Sequence, residues 1–563
     1  MKSPTRTYIL EVATFFTLCL LFFFYGLNSF GLVGADEPRY AQIACEMLRN
    51  NDYVTPTLHG SPWLEKPALY YWRAAAAFHT FGVHDWVARL PSASFALVLI
   101  IIVYFHMRRF RPGAQFGAAL ITASAAAMIG FARGASTDMQ LAAPFSFAML
   151  GWYAWYETGR KFWLFDLYFF IGVGMLAKGP VAPGLAFLIV TIFAAVRRDL
   201  KLIWRTLWWP GVLIFLAIVS PWYIAVQRAN PDFFRVFILQ HNLERFATDL
   251  FQHRQPFWFY LPVLALSLMP WTVFAFTALL SGAKQTWRDW RLSSPGMARE
   301  SERIGDAFPE FLVIWALFPV VFFSFSQSKL PGYILPSIPP AAILTGDYLY
   351  RRREKAVRVG LLSTHALLTG LLMGAVLLTP LLVLNPKHAP PASAMAYALL
   401  LGTAVALLIF FLTRRGGQRM LLWSTILPTA FGVFFLLHFG GWALDAAYSS
   451  RDVAGLIQNA EQRQSLGFAI PVAVFQTRRD VEYGLGFYLD EPIERYERGE
   501  VPGAAHIVVT TEAASNQLAA KVPGREILLL GEPGKAESVT PARALNPQKL
   551  EVYWISSSNL PSR

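Results

Sequence analysis

The sequence predicts a polytopic α-helical membrane protein with a small α/β module at its carboxyl end. Three observations predict it. Charged residues make up only 15% of the 563-residue chain, against 55% hydrophobic ones, where soluble domains carry about 25% charge. Apolar runs long enough to cross a bilayer, which takes about 20 residues, recur as far as residue 443. Beyond that point the pattern changes to short runs rich in β-branched residues, IPVAVFQT, AHIVVTT, REILLLG and EVYWISS, with one helical stretch, SSRDVAGLIQNAEQR.

Apolar stretches fall near 8–29, 88–107, 114–132, 139–156, 162–177, 180–196, 207–226, 256–281, 309–326, 333–349, 359–384, 394–413 and 420–443. They give thirteen spans in a membrane domain over 1–443, followed by the module over 444–563. The first stretch has no small-residue cleavage site after it, so it reads as a retained helix rather than a signal peptide. The net charge of +13 does not indicate nucleic acid, because the basic residues sit in short clusters between apolar spans. Alternate loops hold Arg108, Arg109 and Arg111; Arg160 and Lys161; Arg197, Arg198, Lys201 and Arg205; Lys284, Arg288 and Arg291; Arg351, Arg352, Arg353 and Lys355; and Arg414, Arg415 and Arg419. With thirteen spans all of these lie on one side, which positive-inside topology makes cytoplasmic. The amino terminus is then inside and the carboxyl terminus outside. Two cysteines, Cys19 and Cys45, support neither a disulfide framework nor a cysteine metal site.

The outer side differs in kind. Residues 30–87 are too long for a turn, and PRYAQIACEMLRN and EKPALYYWRAAAAFHTFG read as helices with mixed faces, suited to the interface plane. Residues 227–255 form a second long outer segment. Ionisable residues at span ends are costly and tend to be functional, and nearly all the suggestive ones fall here: Asp36, Glu37, Arg39 and Tyr40; Glu65 and Lys66; Asp138; Lys178; His241, Asn242, Arg245, His253 and Arg254; Lys329 and Tyr333. Each has a plainer alternative. Asp36 and Glu37 suit the positive end of a helix, Asp138 can cap its span, and Lys178 and Lys329 can snorkel. The convergence of six separate segments on one water-facing level favours a shared site.

Many cations beside a few carboxylates suit a phosphorylated ligand. Carboxylate with imidazole suits a divalent metal. A site at membrane level suits a lipid-linked phosphate, its tail in the bilayer and its head among the cations.

DEPRYAQIACEML, together with LEKPALYYW, LAKGP, HNLERF, HRQPFWFYLP and KLPGYILPSIPP in this order, resembles the bacterial aminoarabinose transferases of lipid A. These lie within the protein-mannosyltransferase-like, C-type membrane glycosyltransferases (GT-C). The resemblance implies a GT-C fold with a periplasmic carboxyl domain in the bacterial inner membrane, its active site formed by loops 30–87 and 227–255 and facing the periplasm. It implies inverting transfer of 4-amino-4-deoxy-L-arabinose from undecaprenyl phosphate to a lipid A phosphate by a monomer, and a link to polymyxin resistance. Carried onto matching positions, Asp36 is the essential acid, Glu65 and His241 resemble ligands of a divalent metal, zinc foremost, and Lys66, Lys178, Arg245 and Tyr333 match positions that hold the donor phosphate. Arg39, Tyr40 and Asp138 match other cavity residues, with Glu37 and Lys329 beside them. The chain departs from the pattern at Trp63–Leu64, where an aromatic pair is common. In HNLERF an alternative alignment puts Asn242 at the ligand position.

Asp36 is a general base if the acceptor is a hydroxyl, and an orienting group if the acceptor is an anionic phosphate. The alternative within this fold is a transferase moving another polyprenyl-phosphate-linked sugar to lipopolysaccharide core, glycan or protein. A flippase is disfavoured because neither repeat symmetry nor a midplane charge pair is present, and a membrane scaffold leaves the polar convergence unexplained.

Overall fold

The computed structural model describes residues 4–247, 254–292, 306–385, 388–463, 470–499, 501–532 and 548–557. His253, one of the outer-loop residues singled out above, lies outside them.

The first apolar run forms α1 (Pro4–Phe23), and the outer segment after it carries α2 (Asp36–Asn50), a two-residue hairpin of β1 (Thr57–Leu58) and β2 (Ser61–Pro62), and α3 (Leu69–Phe81). The α2 boundaries follow from its ends. Asp36 and Glu37 occupy the first turn, where acids oppose the helix dipole, and Asn51 closes the helix in the left-handed region with φ 50°. The bundle continues with α4 (Asp85–Phe110), α5 (Gln115–Ser124), α6 (Ala126–Ala132), α7 (Thr137–Thr158), α8 (Phe162–Lys178), α9 (Val181–Val196), α10 (Lys201–Thr206) and α11 (Trp209–Ala229). The second outer segment forms a π-helical stretch, Phe234–Glu244, ending in the α-turn α12 (Arg245–Ala247). Then come α13 (Tyr260–Ser267), α14 (Thr272–Leu292), α15 (Ala307–Ser324), a 3₁₀ segment Pro331–Ser337, α16 (Ile338–Arg351), α17 (Val359–Leu384), α18 (Ala392–Phe439) and α19 (Gly441–Tyr448).

All thirteen apolar stretches carry helix, with four differences from uniform spans. Residues 114–132 break into α5 and α6 at 63°, and residues 256–281 bend by 118° between α13 and α14. The two breaks meet, since Ala126 N donates to Met269 O at 2.8 Å and Trp271 Nε1 to Ser124 Oγ at 2.8 Å. Each break frees backbone groups that the other satisfies. The stretches 394–413 and 420–443 run together as α18, interrupted only at Gly417 (φ 63°, ψ −151°). Residues 333–337 are 3₁₀, because Pro331 and Pro336 remove helical donors. Among the described residues, five helices are at least 18 residues long and apolar enough to cross a bilayer, and seven if each bent pair counts as one.

Polar contacts gather at the two opposite ends of the bundle. At one end, Arg111 bridges Glu157 (2.9 Å) and Asp306 (2.7 Å), Arg351 joins Asp306 and Asp347, and Arg197 meets Glu310 at 3.4 Å. These residues belong to the basic loops, tied by acids from neighbouring helices. At the other end stand α2, α3 and the chain between α8 and α9. Between the ends the core is aromatic, with Trp152, Trp271 and Trp315 fully buried.

The carboxyl module is a five-stranded mixed sheet in the order β4-β3-β5-β7-β6, formed by β3 (Val472–Phe475), β4 (Glu494–Arg495), β5 (His506–Thr511), β6 (Ile527–Gly531) and β7 (Leu550–Ile555). β3 pairs in parallel with β4 and β5, while β7 runs antiparallel to β5 and β6. All four β3 residues are buried, as a central strand requires. Helices α20 (Arg451–Arg463) and α21 (Arg479–Leu489) flank the sheet. The module is clamped to the α2 end of the bundle. Arg451 pairs with Asp445 and with Asp85 (3.1 Å), and Tyr488 Oη donates to Asp85 Oδ1 at 2.9 Å while accepting from Leu32 N at 2.7 Å.

Candidate active site

The acids at the start of α2 diverge. Successive helical residues point about 100° apart, so Asp36 and Glu37 cannot share a surroundings. Glu37 is buried, and its carboxylate accepts from Arg89 Nη2 (2.7 Å), Val33 N (2.9 Å) and Ala135 N (2.7 Å). Arg89, 1% exposed, spends its other donors on the carbonyls of Leu27, Phe30 and Gly31. The pair ties α2 to α1, α4 and the α6–α7 turn. Glu37 therefore holds Arg89, not Arg39, and lies outside the cavity. Asp36 is 62% exposed in its side chain and receives Arg39 Nη2 at 2.5 Å. The Arg39 guanidinium lies over Trp63 (4.9 Å), Tyr40 (5.3 Å) and Tyr483 of the carboxyl module (5.4 Å). Tyr40 is buried beneath α2, against Tyr70 and Tyr71.

A cavity of 450 Å³ lies beside this acid and gathers residues from five segments: Glu65 and Lys66 before α3, Lys178 at the end of α8, His241 in the π-helical stretch, Arg245 at its end, and Tyr333 in the 3₁₀ segment. Asn242 and Ser326 also line it, and the rest of its wall is apolar, including Leu185, Leu188, Phe246, Phe322 and Phe323. Seven of the residues read from the sequence thus share one chamber. Asp36, Arg39, Tyr40 and Asp138 stand around it rather than on its wall.

Local structure explains each placement. Lys178 ends α8, and Gly179 follows with φ 75°, where a Cβ would fall 2.5 Å from Phe237 Cζ; a side chain there would push the π-helical stretch away. Asp138 stands at the start of α7 behind the N-cap Ser136 and pairs with Lys178. Gly332 packs against this carboxylate so closely that a Cβ would lie 2.5 Å from Asp138 Oδ1. Lys178 Nζ is also 5.4 Å from the centre of the Tyr333 ring. Lys329 does not reach the cavity. Its ammonium donates to Ser326 O (2.5 Å) and Gln255 O (3.0 Å) and fastens the loop ahead of Tyr333.

Charge in the chamber is lopsided, with three cations facing Glu65. Burial pushes the Lys66 ammonium down to about 8, with Arg245 and Lys178 adding to the effect and Glu65 and Asp36 opposing it. Crowded, desolvated cations are what an anionic ligand relieves. His241 is pushed down to about 4, by burial first and then by Lys66, Arg245 and Arg39 against the opposing Glu65. Its imidazole is neutral at physiological pH, the state a metal ligand requires. His241 Nε2 stands 4.0 Å from Glu65 Oε1. The Asn242 amide instead donates to Phe237 O at 2.7 Å, so the imidazole rather than the amide faces Glu65. Among the described residues no three His, Cys, Asp or Glu side chains form a metal cage. Glu65 and His241 thus supply two candidate metal donors, an oxygen and a nitrogen, side by side.

Residues 65–224 match the family model described as dolichyl-phosphate-mannose-protein mannosyltransferase. The chain is 34% identical, over 340 residues, to undecaprenyl phosphate-alpha-4-amino-4-deoxy-L-arabinose arabinosyl transferase 2 of Pseudomonas fluorescens, a match covering 59% of this chain and 55% of that one. It is 29% identical, over 511 residues, to the arabinosyl transferase of the same description from Aeromonas salmonicida, covering 85% of this chain and 88% of that one. The chain is similar to the bacterial aminoarabinose transferases. It shares their fold: the crystal structure of ArnT from Cupriavidus metallidurans bound to undecaprenyl phosphate superposes with a TM-score of 0.75 at 23% identity, over 100% of both chains. The aligned match spans little more than half the length of the Pseudomonas fluorescens transferase.

Sequence reading missed the residues that hold these segments in place. Arg89 sits inside an apolar span and finds its acid 52 positions earlier. Arg73 donates to Gln140 Oε1 (2.5 Å) and Ser94 Oγ (2.7 Å). Tyr483 is more than 400 positions from Arg39. An arginine inside or beside an apolar run was the one available signal for the first two. Nothing local marks Tyr483.

Proposed function

We propose that the chain is an inverting glycosyltransferase that moves 4-amino-4-deoxy-L-arabinose from undecaprenyl phosphate to a phosphate of lipid A, at the periplasmic face of the bacterial inner membrane. The observation that carries this reading is the chamber with three cations, Lys66, Lys178 and Arg245, beside an apolar slot. Such a chamber suits a phosphate with a lipid tail. The relatives' names supply the sugar and the carrier.

In this reading Lys66, Lys178, Arg245 and Tyr333 hold the donor phosphate, and the prenyl chain lies along Leu185, Leu188 and Phe322. Asp138 fixes Lys178. The acceptor phosphate oxygen attacks the anomeric carbon from the face opposite the donor, the bond from that carbon to the undecaprenyl phosphate oxygen breaks, and the leaving phosphate keeps the electron pair among the cations. The nucleophile is already an anion, so no base is needed, and the Asp36 carboxylate, aimed by Arg39, orients the ammonium group of the sugar. Glu65 and His241 would hold a divalent metal, zinc foremost, whose charge when bound assists the leaving phosphate.

Thirteen spans, a cytoplasmic amino terminus and a periplasmic carboxyl module belong to this proposal, as do action as a monomer and a contribution to polymyxin resistance. The gathering of the basic loops at the end opposite the chamber supports that orientation. The experiment is mass spectrometry of lipid A from cells with and without the protein. The reading expects one aminopentose increment per modified phosphate, dependent on Asp36. An unchanged lipid A beside a changed core, glycan or protein would favour a related transferase of another sugar or acceptor, which a panel of polyprenyl-phosphate sugars would identify.

A further inference from the structure

We propose that a crevice between α1, the start of α4 and the carboxyl module binds one zwitterionic aminophospholipid of the outer leaflet. The proposal rests on the membrane orientation proposed above and not on the transfer chemistry. Two cavities meet in this crevice. One, of 720 Å³, is bounded by Gln42 and Arg49 of α2, His84 and Asp85 where α4 begins, and Asp490 just after α21. The other, of 350 Å³, is bounded by Phe24, Leu27 and Leu90. They share Asn28 and Trp86, and neither shares a residue with the donor chamber. The crevice therefore carries its charged groups towards the carboxyl module, among apolar Leu48, Val83 and Phe487, and is apolar, Asn28 aside, where α1 ends and α4 enters the apolar bundle.

Charge complementarity selects the occupant. Arg49 and Asp490 pair across the polar cavity with their side chains 53% and 52% exposed, and Gln42 Nε2 donates to Asp490 Oδ1 at 3.2 Å. An ion pair so open to water contributes little by itself. A headgroup carrying both an ammonium and a phosphate can engage both members, the ammonium on Asp490 and the phosphate on Arg49, and leave neither without a counter-charge. An anionic headgroup offers nothing to Asp490. A choline headgroup has no N–H to donate to it. Asp85 is buried and paired with Arg451 and the Tyr488 hydroxyl, whereas the Asp490 side chain is 52% exposed, so Asp490 is the carboxylate that a ligand ammonium can reach. The apolar arm takes an acyl chain. Phe81, 54% exposed at the end of α3, lies against Trp86 with ring centres 5.7 Å apart, Val83, 49% exposed, lines the larger cavity, and Trp86 sits at the junction where interfacial tryptophans collect. Both cavities lie within the range of small-molecule sites.

The test uses the full chain in nanodiscs of equal parts phosphatidylethanolamine, phosphatidylglycerol and phosphatidylcholine, followed by gentle release and native mass spectrometry. Undecaprenyl phosphate is added to every sample as a probe of the separate chamber and of folding. The expected result is one retained phosphatidylethanolamine, about tenfold in excess of either other lipid, the factor that one charge-assisted hydrogen bond supplies. Arg49→Gln removes the phosphate anchor, and Leu90→Trp fills the apolar arm. Each is expected to lower the retained phosphatidylethanolamine about tenfold with undecaprenyl phosphate still bound. Should Arg49→Gln also lose undecaprenyl phosphate, Leu90→Trp alone decides. Equal retention of the three lipids, preference for phosphatidylglycerol, or unchanged retention in Leu90→Trp would overturn the proposal.

Discussion

Arg39 Nη2 lies 2.5 Å from Asp36 Oδ1, one helical turn apart on α2, and the same guanidinium rests against Tyr483 of the carboxyl module. The acid that the reading places at the chemistry is thus aimed by an arginine whose position depends on a domain more than 400 residues away. Burial alone would disfavour the Arg39 cation, but Tyr40, Asp36 and Glu65 together raise its proton affinity above the ordinary value. Asp36→Asn is expected to lower transfer at least about 100-fold while leaving the melting temperature and undecaprenyl phosphate binding unchanged. Tyr483→Ala should lower turnover more than it raises KM for the donor, since it loosens the aim of Asp36 without touching the phosphate cradle. Steady-state kinetics on the purified variants checks both.

Lys66 sets a pH limit. Its proton affinity in the folded protein is lowered to about 8 from the ordinary 10.5, so the cation that greets the donor phosphate is present below that pH and lost as pH rises through it. Donor KM should climb above pH 8 with turnover little changed at saturation. Lys66→Arg, whose guanidinium stays charged, should flatten the profile. A flat profile in the wild type would contradict this assignment.

The contact between Gly332 and Asp138 leaves no room for a methyl group. Gly332→Ala should displace the Asp138 carboxylate from Lys178, costing about 1–3 kcal/mol of stability and weakening donor binding. Asp138→Asn should weaken it too. The double variant should lose less than the sum of the single losses, because both act through Lys178. A thermodynamic cycle on undecaprenyl phosphate affinity measures the coupling.

Glu37 and Arg89 form a structural pair. Glu37→Gln and Arg89→Met each strand one buried charged or polar partner and should destabilise the protein by about 3–5 kcal/mol. Activity per folded molecule should persist in Glu37→Gln at low temperature. Thermal unfolding in detergent, scored beside transfer, separates this role from a catalytic one.

Metal removal bears on Glu65 and His241. Dialysis against a chelator should lower turnover, and zinc should restore it. Glu65→Gln and His241→Ala should each lower bound zinc, read by elemental analysis, without loss of the fold. Full activity in metal-free protein would remove the metal from the reading.

Much of the site was legible because its chemistry is carried by residue types that apolar spans do not tolerate. Glu65, Lys66, Lys178, His241, Arg245 and Tyr333 stand out from their surroundings, and the alternation of basic loops put them all at one level. Glu37 and Lys329 were legible as unusual, yet their partners were not. A buried carboxylate reads the same whether it meets a substrate or, as here, Arg89 from another helix and two backbone amides. Lys329 likewise ends on carbonyls of its own loop and of Gln255. The breaks between α5 and α6 and between α13 and α14 were hidden because broken spans and straight ones share a composition.

The sequence by itself determined the membrane architecture, the β-rich carboxyl module and the candidate residues, since bilayer insertion and strand burial are read from local apolar pattern and period. Only the tertiary structure decided which polar residues share a chamber, which of two adjacent acids faces it, and that the carboxyl module reaches the first outer helix through Tyr483, Tyr488 and Arg451. Those are facts of distance between segments far apart in the chain, set by packing and by the need to satisfy buried charge, and local pattern carries no record of them.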